Sequence, residues 1–498
     1  MSKTTKKNKS SPRKLSYYPL YVFFILMIAP LLVMTLVPKR PLHYPNIILF
    51  TVDTLRADRL GAYGHDRART AHLDFFSKKA TTFSTVITAA PETLPAHATL
   101  FTGRYPWRHH CLDNQYPLRY SEHTLSEILR SYGYRTIAIS NAIMSLYRGF
   151  EQGFEMFNGK SEAQVNKERN KKTTRKPHVK IKVTSNEQRN DPSRATLTTK
   201  RAIQACESLP GTPFFLWVHY WDPHSPYNPP DIYRKWFDCP SGTGREFLFP
   251  DEMQAIHRQK IELTDIEKTK LSALYDGDVA YFDAEWGRLM RFLAARQLLS
   301  DSLLIFIGDH GESLYEHNHY IGHGLSIKNT VLTIPLLVFQ KRFPAHIINH
   351  QVKIADIVPT ILDFLALKPE KVSLDGESLL NFLNEFTTRK HVDTPAALSR
   401  AHLTGSTSIQ NERWKIISRD DQETFTFHDL AIDPLEQNPI IDFPEERPPP
   451  RLINALKQWK RNFKVIDIKK SETQNDEQLL EMLRDLGYID EYPAEAAN

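Results

Sequence analysis

The chain has 498 residues, 41% of them hydrophobic and 11% aromatic, and this composition excludes wholesale disorder because it can fill a sizeable core. Its length suggests roughly three domains, or one large α/β domain with a smaller appendage. Three cysteines exclude a disulfide-rich scaffold and share no metal-site spacing. The net charge of +6 is concentrated in residues 1–14 and 160–201, so the remaining chain is acidic, which argues against a nucleic-acid binder.

The N-terminal region predicts a membrane anchor. Residues 17–37 contain 21 consecutive residues without a charge, which is the length that spans a bilayer as a helix. Basic residues precede this stretch in larger number than they follow it, which predicts a cytoplasmic N-terminus. No small-residue cleavage site precedes Pro38, which favours an uncleaved anchor over a signal peptide. We therefore expect a basic cytoplasmic tail at 1–14, one transmembrane segment at 15–38 and an extracytoplasmic body in the periplasm, cell surface or lumen; a buried core helix is the alternative.

Alternating apolar runs and helical patterns predict an α/β fold with a mostly parallel central sheet flanked by helices. Helical patterns occur at 121–132, where Ser121 is a candidate N-cap, and at 265–296. The runs that predict buried parallel strands are 46–52, 134–140, 214–218, 302–308 and 334–339.

Two further regions differ in composition from this pattern. Residues 160–195 are basic and nearly free of large apolar side chains, which predicts a flexible surface insertion, either a solvated loop or a contact for anionic lipid or polymer. Residues 395–498 predict a small C-terminal α+β subdomain and tail, with strands at 412–417 and 424–428 and a last helix near 477–487.

Three predicted strands end in side chains that can bind metals or transfer protons. The first strand runs into Asp53, the third into His219 and then His224, and the fourth into Asp309 and His310. Ligands bind at the carboxyl ends of strands in open parallel sheets, so a shared site is expected there. Any one of these aspartates taken alone could simply cap a helix.

A fourth element is the segment that begins at Thr93. Pro95 suits the first turn of a helix and places Thr93 at the helix N-terminus. Exposed N–H groups and the positive end of the helix dipole favour an alkoxide or an anionic substrate there. The alternative is that Thr93 serves only as an N-cap.

These residues resemble a known family. Residues 46–58 are similar to the opening strand of sulfatases and their relatives in the alkaline phosphatase superfamily, and residues 93–104 resemble the sulfatase signature Cys-x-Pro-x-Arg followed by Leu-Thr-Gly-Arg. The resemblance spans residues 44–490 and implies the alkaline phosphatase-like, or sulfatase, fold, with a catalytic domain over 44–394. Further matching blocks lie at 222–230, 308–313, 356–363, 428–436 and 486–489.

The departures from the family pattern change the expected chemistry. Sulfatases convert the signature cysteine or serine to formylglycine, whereas position 93 is threonine, His97 replaces the signature arginine and Thr54 replaces a second aspartate. These differences argue against formylglycine-type arylsulfatase activity. A threonine at this place is similar to phosphoethanolamine transferases and lipoteichoic acid synthases, which are membrane-anchored, metal-dependent and extracytoplasmic, although those usually have several spans.

The resemblance implies one divalent metal ion held by Asp53, Thr93, Asp309 and His310. Carboxylate oxygens with one imidazole suit zinc or manganese, with calcium as the alternative, and Thr54 in place of a carboxylate disfavours calcium. Thr93 would attack sulfur or phosphorus in line and form a covalent ester, which water hydrolyses or an acceptor hydroxyl receives.

The remaining histidines and two other polar residues have expected supporting roles. The proton donor to the leaving oxygen is predicted to be His224, supported by the substrate-binding candidates His219 and His323. His97 either steadies the nucleophile in place of the arginine or lies on the helix surface. Asn141 and Lys328 are candidate substrate contacts.

Two further expectations concern histidines. The spacing of histidines 317, 319 and 323 could form a separate metal site, but a loop at the rim of the active site is the favoured interpretation. We expect His109 and His110 to be surface residues.

The sequence leaves three candidate functions to be tested. The first is a membrane-anchored, metal-dependent sulfatase-like enzyme that cleaves or transfers a sulfate- or phosphate-type ester of a glycan, lipid or small molecule. The second is a phosphoethanolamine- or glycerophosphate-type transferase acting on an envelope lipid or glycan. The third, from another class, is a catalytically silent, membrane-anchored binding protein for anionic polymers.

Overall fold

The chain divides into two units, Met1–Tyr44 and Pro45–Asn498, and almost all described structure lies in the second. The predicted transmembrane stretch lies outside the described residues and stays a prediction. Within the part of the chain that is described, no helix is both long and apolar enough to cross a membrane. The computed structural model describes residues 44–140, 144, 148–167, 194–207, 209, 213–239, 250–257, 260–317, 320–370, 372–384, 396–422, 424–440, 448 and 450–465.

A mixed sheet of nine strands organises the second unit, in the spatial order β11-β2-β10-β7-β1-β6-β3-β4-β5. Four more strands, β12 to β15, form an antiparallel sheet, and β8 pairs with β9. The strands are β1 (Asn46–Val52), β2 (Thr81–Ile87), β3 (Arg135–Ile139), β4 (Met156–Phe157), β5 (Lys160–Ser161), β6 (Phe214–Tyr220), β7 (Ser302–Gly308), β8 (Ser313–Leu314), β9 (Ile321–Gly322), β10 (Thr333–Phe339), β11 (Ile347–Lys353), β12 (Ala397–Ala401), β13 (Ser406–Gln410), β14 (Trp414–Arg419) and β15 (Phe425–Asp429).

Helices flank the large sheet, and the predicted α/β class is confirmed. Short 3₁₀ turns occur at Ala57–Arg59, Gly61–Tyr63 and Ile354–Asp356. The α-helices are α1 (Ala71–Ser77), α2 (Thr93–Thr102), α3 (Pro106–His109), α4 (Leu125–Ser131), α5 (Arg194–Glu207), α6 (Asp231–Trp236), α7 (Pro250–His257), α8 (Asp265–Ala295), α9 (Asn329–Leu332), α10 (Ile357–Phe364), α11 (Leu380–Asn384) and α12 (Pro450–Val465).

The centre of the sheet is buried and largely apolar because both faces are covered. Strand β1 pairs in parallel with β6 on one side and β7 on the other, and the side chains of β6 and β7 are buried throughout. Continuous apolar runs of this kind are typical of parallel strands that have helices on both faces. The three strands therefore end at one edge of the sheet.

The strand predicted at 334–339 was expected to be parallel, and this was wrong. The observed strand β10 runs antiparallel to both neighbours, β7 and β2. The described residues of the connection at 309–332 hold only the small β8–β9 hairpin and the short helix α9, with no crossover helix among them. Strand β10 consequently starts at the edge where β7 ends and runs back, as antiparallel neighbours do.

The helix predicted at 121–132 is shorter than expected, and its N-cap is Thr124 rather than Ser121. The Thr124 hydroxyl accepts the N–H of Glu127, and the Glu127 carboxylate accepts the N–H of Thr124. Ser121 has a threonine three positions later, which does not close such a capping box. Helix α8 begins with the same arrangement at Thr264 and matches its predicted range.

The small C-terminal sheet packs its own apolar cluster against helix α12. The two predicted strands in this region correspond to β14 and β15, each displaced by one or two residues, while the helix predicted near 477–487 lies outside the described residues. The buried members of the cluster are Ile409, Trp414, Ile416, Phe427, Leu452 and Leu456.

The predicted insertion at 160–195 is structured at both ends. Residues Lys160–Ser161 form β5, and Arg194 begins helix α5 with a side chain that is 4% exposed. The Arg194 guanidinium lies 2.8 Å from Asp222 and 3.8 Å from Asp278. Residues 168–193 lie outside the described part.

We expect Arg194→Ala to reduce the free energy of unfolding by about 3–5 kcal/mol, because it leaves two buried carboxylates without their cation. Urea unfolding followed by circular dichroism measures this change. Arg201→Ala on the exposed face of the same helix is the matched control and should have little effect. Equal stability of the two variants would contradict a structural role for the Arg194 ion pairs.

Candidate active site

Strand register places the predicted polar residues at one edge of the sheet. Val52, the last residue of β1, lies opposite Gly308 of β7, so Asp53 and Asp309 follow side by side. The backbone N–H of Asp309 bonds to the carbonyl of Val52 at 3.3 Å, and that of Asp53 bonds to the carbonyl of Tyr220 at 3.0 Å. Sequence reasoning from strand ends predicted this convergence.

Asp53, Asp309 and His310 form a buried cluster that can hold a metal ion, with ligand atoms all within 4.8 Å of one another. His310 Nε2 lies 3.7 Å from Asp53 Oδ1 and 3.6 Å from Asp309 Oδ2. The other ring nitrogen, Nδ1, donates to the carbonyl of Gly311 at 2.9 Å, so in the neutral ring Nε2 carries the lone pair.

The donor set fits a divalent cation. Asp309 Oδ2 is buried and has no hydrogen-bond partner among the described residues, although it faces the lone pair of His310. Such an arrangement is costly without a positive charge between the atoms. The other oxygen of Asp309 accepts the N–H groups of Thr54 at 3.1 Å and His310 at 2.7 Å, which fixes the orientation of the carboxylate.

Thr54 contributes to this orientation through its backbone. Its φ angle of 56° lies in the left-handed region, which is unusual for a β-branched residue. Strain of this kind persists where the surrounding structure holds it. In this site the residue in the strained conformation, Thr54, donates its N–H to Asp309 Oδ1.

Thr93 lies beside the cluster at the first residue of helix α2. Its hydroxyl oxygen is 3.2 Å from His310 Nε2 and 3.5 Å from Asp53 Oδ1. Glu92 occupies the N-cap position, so Thr93 is not the helix cap. Every residue of this helix is buried, and Gly103 ends it with a φ of 63°. The predicted helix start is confirmed.

The N–H groups expected to be exposed at this helix end are largely occupied. Leu94 N–H donates to the side chain of Asn114 at 2.9 Å, and Pro95 has no N–H. Ala96 N–H bonds to the carbonyl of Glu92. The positive end of the helix dipole still lies here, but these backbone N–H groups are hydrogen-bonded within the protein and do not form an open anion-binding site.

The known proteins that this chain resembles are consistent with a metal-dependent ester-cleaving site of this kind. The family model described as Sulfatase matches residues 45–367. The chain belongs to the sulfatase family. It is a sulfatase-like ester hydrolase by class, as the sequence motifs predicted.

Relatives of this sulfatase-family chain are distant but match over most of their length. The arylsulfatase of Clostridium perfringens is 23% identical over 68% of this chain and 79% of the relative. The multifunctional alkaline phosphatase superfamily protein PehA of Trinickia caryophylli is 27% identical over 68% and 77%. The phosphonate monoester hydrolase structure of Agrobacterium radiobacter covers 89% of this chain and 96% of its own, at 21% identity and a TM-score of 0.61.

His97 is buried inside this sulfatase-family site, which excludes the alternative that it lies on the helix surface. Its Nδ1 donates to the carbonyl of Thr93 at 2.9 Å and lies 3.6 Å from Asp309 Oδ2. Burial, together with the nearby His219, lowers the pKa of His97 to about 3. The residue that stands where the family has arginine is therefore a neutral imidazole.

His224, His310 and His323 form a row of rings. The centroids of His310 and His323 are 4.5 Å apart, and those of His323 and His224 are 5.0 Å apart. Burial, with the neighbouring His323 as the next cause, lowers the pKa of His224 well below its usual value, and burial lowers that of His323 to about 4. Two histidines predicted from the sequence thus flank the cluster in neutral form.

Glu312 is a site residue that sequence reasoning did not assign. Its buried Oε1 lies 3.1 Å from His323 Nδ1, and burial raises the pKa of Glu312 to about 8. The signal was its place in the block at 308–313, directly after His310 and Gly311. The carboxyl group holds His323 in position beside His310.

His219 is buried on β6 with Nε2 3.7 Å from Asp53 Oδ2. Lys328 instead contacts the C-terminal region: its ammonium lies 3.2 Å from His428 Nε2 and donates to the carbonyl of Glu436 at 3.1 Å. Asn141 lies outside the described residues. The substrate-binding roles of all three stay predictions.

The structure also tests three other expectations about histidines. His109 is buried, with Nε2 3.1 Å from the Thr99 hydroxyl, so its expected surface position was wrong, while His110 is half-buried. His317 donates to the carbonyl of Leu435, away from His323, and residue 319 is not described. Among the described residues the only metal-capable group is the cluster above.

We expect Asp309→Ala to lower divalent-metal affinity by more than about 100-fold, since even the loss of an outer-shell partner costs about 10–100-fold. Titration of metal-free protein with zinc and manganese against a competing chelator measures it. Asp283→Asn is the matched control, because this buried carboxylate accepts the N–H groups of His72 and Leu73 away from the cluster. Unchanged affinity in the Asp309 variant would remove the metal assignment.

Proposed function

We propose that this chain is a membrane-anchored, metal-dependent enzyme that cleaves or transfers a sulfate- or phosphate-type ester through Thr93. The observation that carries the proposal is the hydroxyl of Thr93 beside His310 Nε2 and Asp53, at the start of a buried helix. The proposed anchor is the uncharged stretch at 17–37, with the N-terminus in the cytoplasm and the enzyme body outside it.

A bound divalent ion would supply positive charge that favours the Thr93 alkoxide and the developing charge on the ester oxygens. Asp53, Asp309 and His310 would hold it together with the Thr93 oxygen. Zinc or manganese is favoured over calcium, because an imidazole is among the ligands and Thr54 stands where a further carboxylate would.

Thr93 acts as the nucleophile in the proposed reaction. The Thr93 hydroxyl gives its proton to water, its oxygen attacks sulfur or phosphorus in line, the bond to the leaving oxygen breaks, and a Thr93 ester remains. His97 holds the Thr93 carbonyl and thereby the first turn of α2. Water or an acceptor hydroxyl then attacks the same sulfur or phosphorus and restores the Thr93 hydroxyl.

His224 is the proposed proton donor to the leaving oxygen. Its Nδ1 hydrogen bonds to the carbonyl of Ser225, so Nε2 is the atom that can receive and deliver a proton. Burial keeps the ring neutral in the free enzyme, since its pKa is well below the usual range. An anionic ester beside the ring favours its protonated form, so substrate binding and protonation would occur together.

The threonine itself favours a transferase as the second candidate. A formylglycine hydrate has a second hydroxyl that can expel the bound group, whereas a threonine ester has none. Release therefore requires a second attack on sulfur or phosphorus, and a lipid or glycan hydroxyl can make that attack as well as water. The acceptor decides between hydrolysis and transfer.

Turnover by the full-length chain on nitrophenyl sulfate, phosphate, phosphate diester and phosphonate, with zinc, manganese or calcium, tests the nucleophile. We expect Thr93→Ala to lose activity by roughly 1000-fold or more, as nucleophile removal does in covalent catalysis. Thr93→Ser keeps the hydroxyl and should retain measurable turnover.

The pattern of activity separates the candidate functions. Full turnover in a folded Thr93→Ala variant would refute the nucleophile. Silence of the metal-loaded wild type on all four esters would favour the transferase, to be tested with lipid and glycan acceptors. Silence without metal binding would favour the anionic-polymer binding protein.

A further inference from the structure

His219 reaches the candidate metal cluster from a third strand. Strand β6 pairs in parallel with β1, and the register sets His219 opposite Thr51, two residues before Asp53. His219 is completely buried, and its Nε2 is 3.7 Å from Asp53 Oδ2. Whether the proton of this ring sits on Nδ1 or on Nε2 decides whether Nε2 has a lone pair that can bind a metal ion.

The hydrogen bonds of His97 determine the direction of the first link. The Thr93 carbonyl can only accept, so His97 Nδ1 must carry the hydrogen of this neutral ring. His97 Nε2 is then an acceptor, and the Thr51 hydroxyl, 3.1 Å away, donates its single hydrogen to it.

The same hydroxyl determines the proton of His219. Trp217 Nε1 can only donate, and it donates to Thr51 Oγ1 at 2.9 Å. His219 Nδ1 is also 2.9 Å from this oxygen, whose hydrogen is already given to His97. His219 Nδ1 must therefore donate its hydrogen to Thr51 Oγ1 as well. The Thr51 hydroxyl then donates one hydrogen bond, to His97, and accepts two, from Trp217 and His219, which is its full hydrogen-bonding capacity.

His219 Nε2 consequently presents a lone pair towards Asp53. It has no hydrogen-bond partner within the described parts of the chain. A buried lone pair that faces a buried carboxylate is unfavourable unless a cation lies between them. The 3.7 Å separation is close to the distances of His310 Nε2 from Asp53 and Asp309, 3.7 and 3.6 Å. Two ligands of a tetrahedral zinc with bonds of about 2.1 Å are about 3.4 Å apart, so His219 Nε2 is close enough to Asp53 to share an ion with it. His219 is not among the three residues whose ligand atoms all lie within 4.8 Å of one another, so its ring has to move towards Asp309 and His310 when the ion binds.

We propose that His219 Nε2 is a ligand of the divalent ion, together with Asp53, Asp309 and His310. Counted with the Thr93 oxygen, the site then has two imidazoles, two carboxylates and one hydroxyl oxygen, a set that suits zinc or manganese better than calcium. Thr51 and His97 act as positioning residues that hold the hydrogen on Nδ1. This inference rests on the proposed function only in requiring that the site binds a metal.

X-ray absorption of the zinc-loaded, full-length wild type tests the proposal without any substitution, because imidazole rings are counted directly. We expect two imidazoles in the wild type and one in His219→Ala. Chelator competition should show a loss of zinc affinity of more than about 100-fold in that variant. His109→Ala, which removes an equally buried histidine outside the cluster, should keep the wild-type affinity.

Thr51 variants test the proton arrangement separately. We expect Thr51→Val to weaken zinc binding by about 10-fold or more, since the loss of a partner that orients a ligand costs about 10–100-fold. Thr51→Ser restores the hydroxyl and should restore the affinity. Equal affinities of the valine and serine variants would overturn the positioning role.

One imidazole in the wild type, unchanged zinc affinity in His219→Ala, or no zinc binding at all would overturn the ligand assignment. These outcomes are separate from failure of the proposed function. Two imidazoles with full turnover in the Thr93→Ala variant would refute the proposed nucleophile and support the ligand. Thr93-dependent turnover with one imidazole would do the reverse.

Discussion

The parallel pairing of β1 with both β6 and β7 is the constraint on which the site depends. It brings the carboxyl ends of three strands, distant in sequence, to one edge of the sheet, so that Asp53, His219 and Asp309 become neighbours. Helix α2 begins beside these strand ends, where the Thr93 hydroxyl lies 3.2 Å from His310 Nε2. A one-residue shift in either pairing would turn these side chains to the other face of the sheet.

Burial raises the free-energy cost of placing charged groups at this edge of the sheet. Two carboxylates lie beside His97 and His219, whose pKa values burial lowers to about 3 and about 4. Ionised groups removed from water need a countercharge, and a divalent cation supplies it at the point where the oxygen and nitrogen lone pairs converge.

Several errors of sequence interpretation share one cause. His109 looked like a surface residue, and the strand at 334–339 looked parallel, because local pattern does not record which element packs above a residue or which edge a connection returns to. Glu312 was overlooked for the same reason: its role depends on His323, eleven residues later, folding back beside it. In each case tertiary contacts decided what local sequence could not.

The sequence by itself determined five strands of the large sheet, the helix that starts at Thr93, the family and the three residues of the metal-capable cluster, because these follow from apolar periodicity and short motifs. Only the tertiary structure decided the direction of β10, the burial and neutral state of His97, and the proton arrangement through Thr51 that leaves a lone pair on His219. Periodicity records which face of a strand is buried, whereas a tautomer depends on partners from separate strands that meet only in the folded chain.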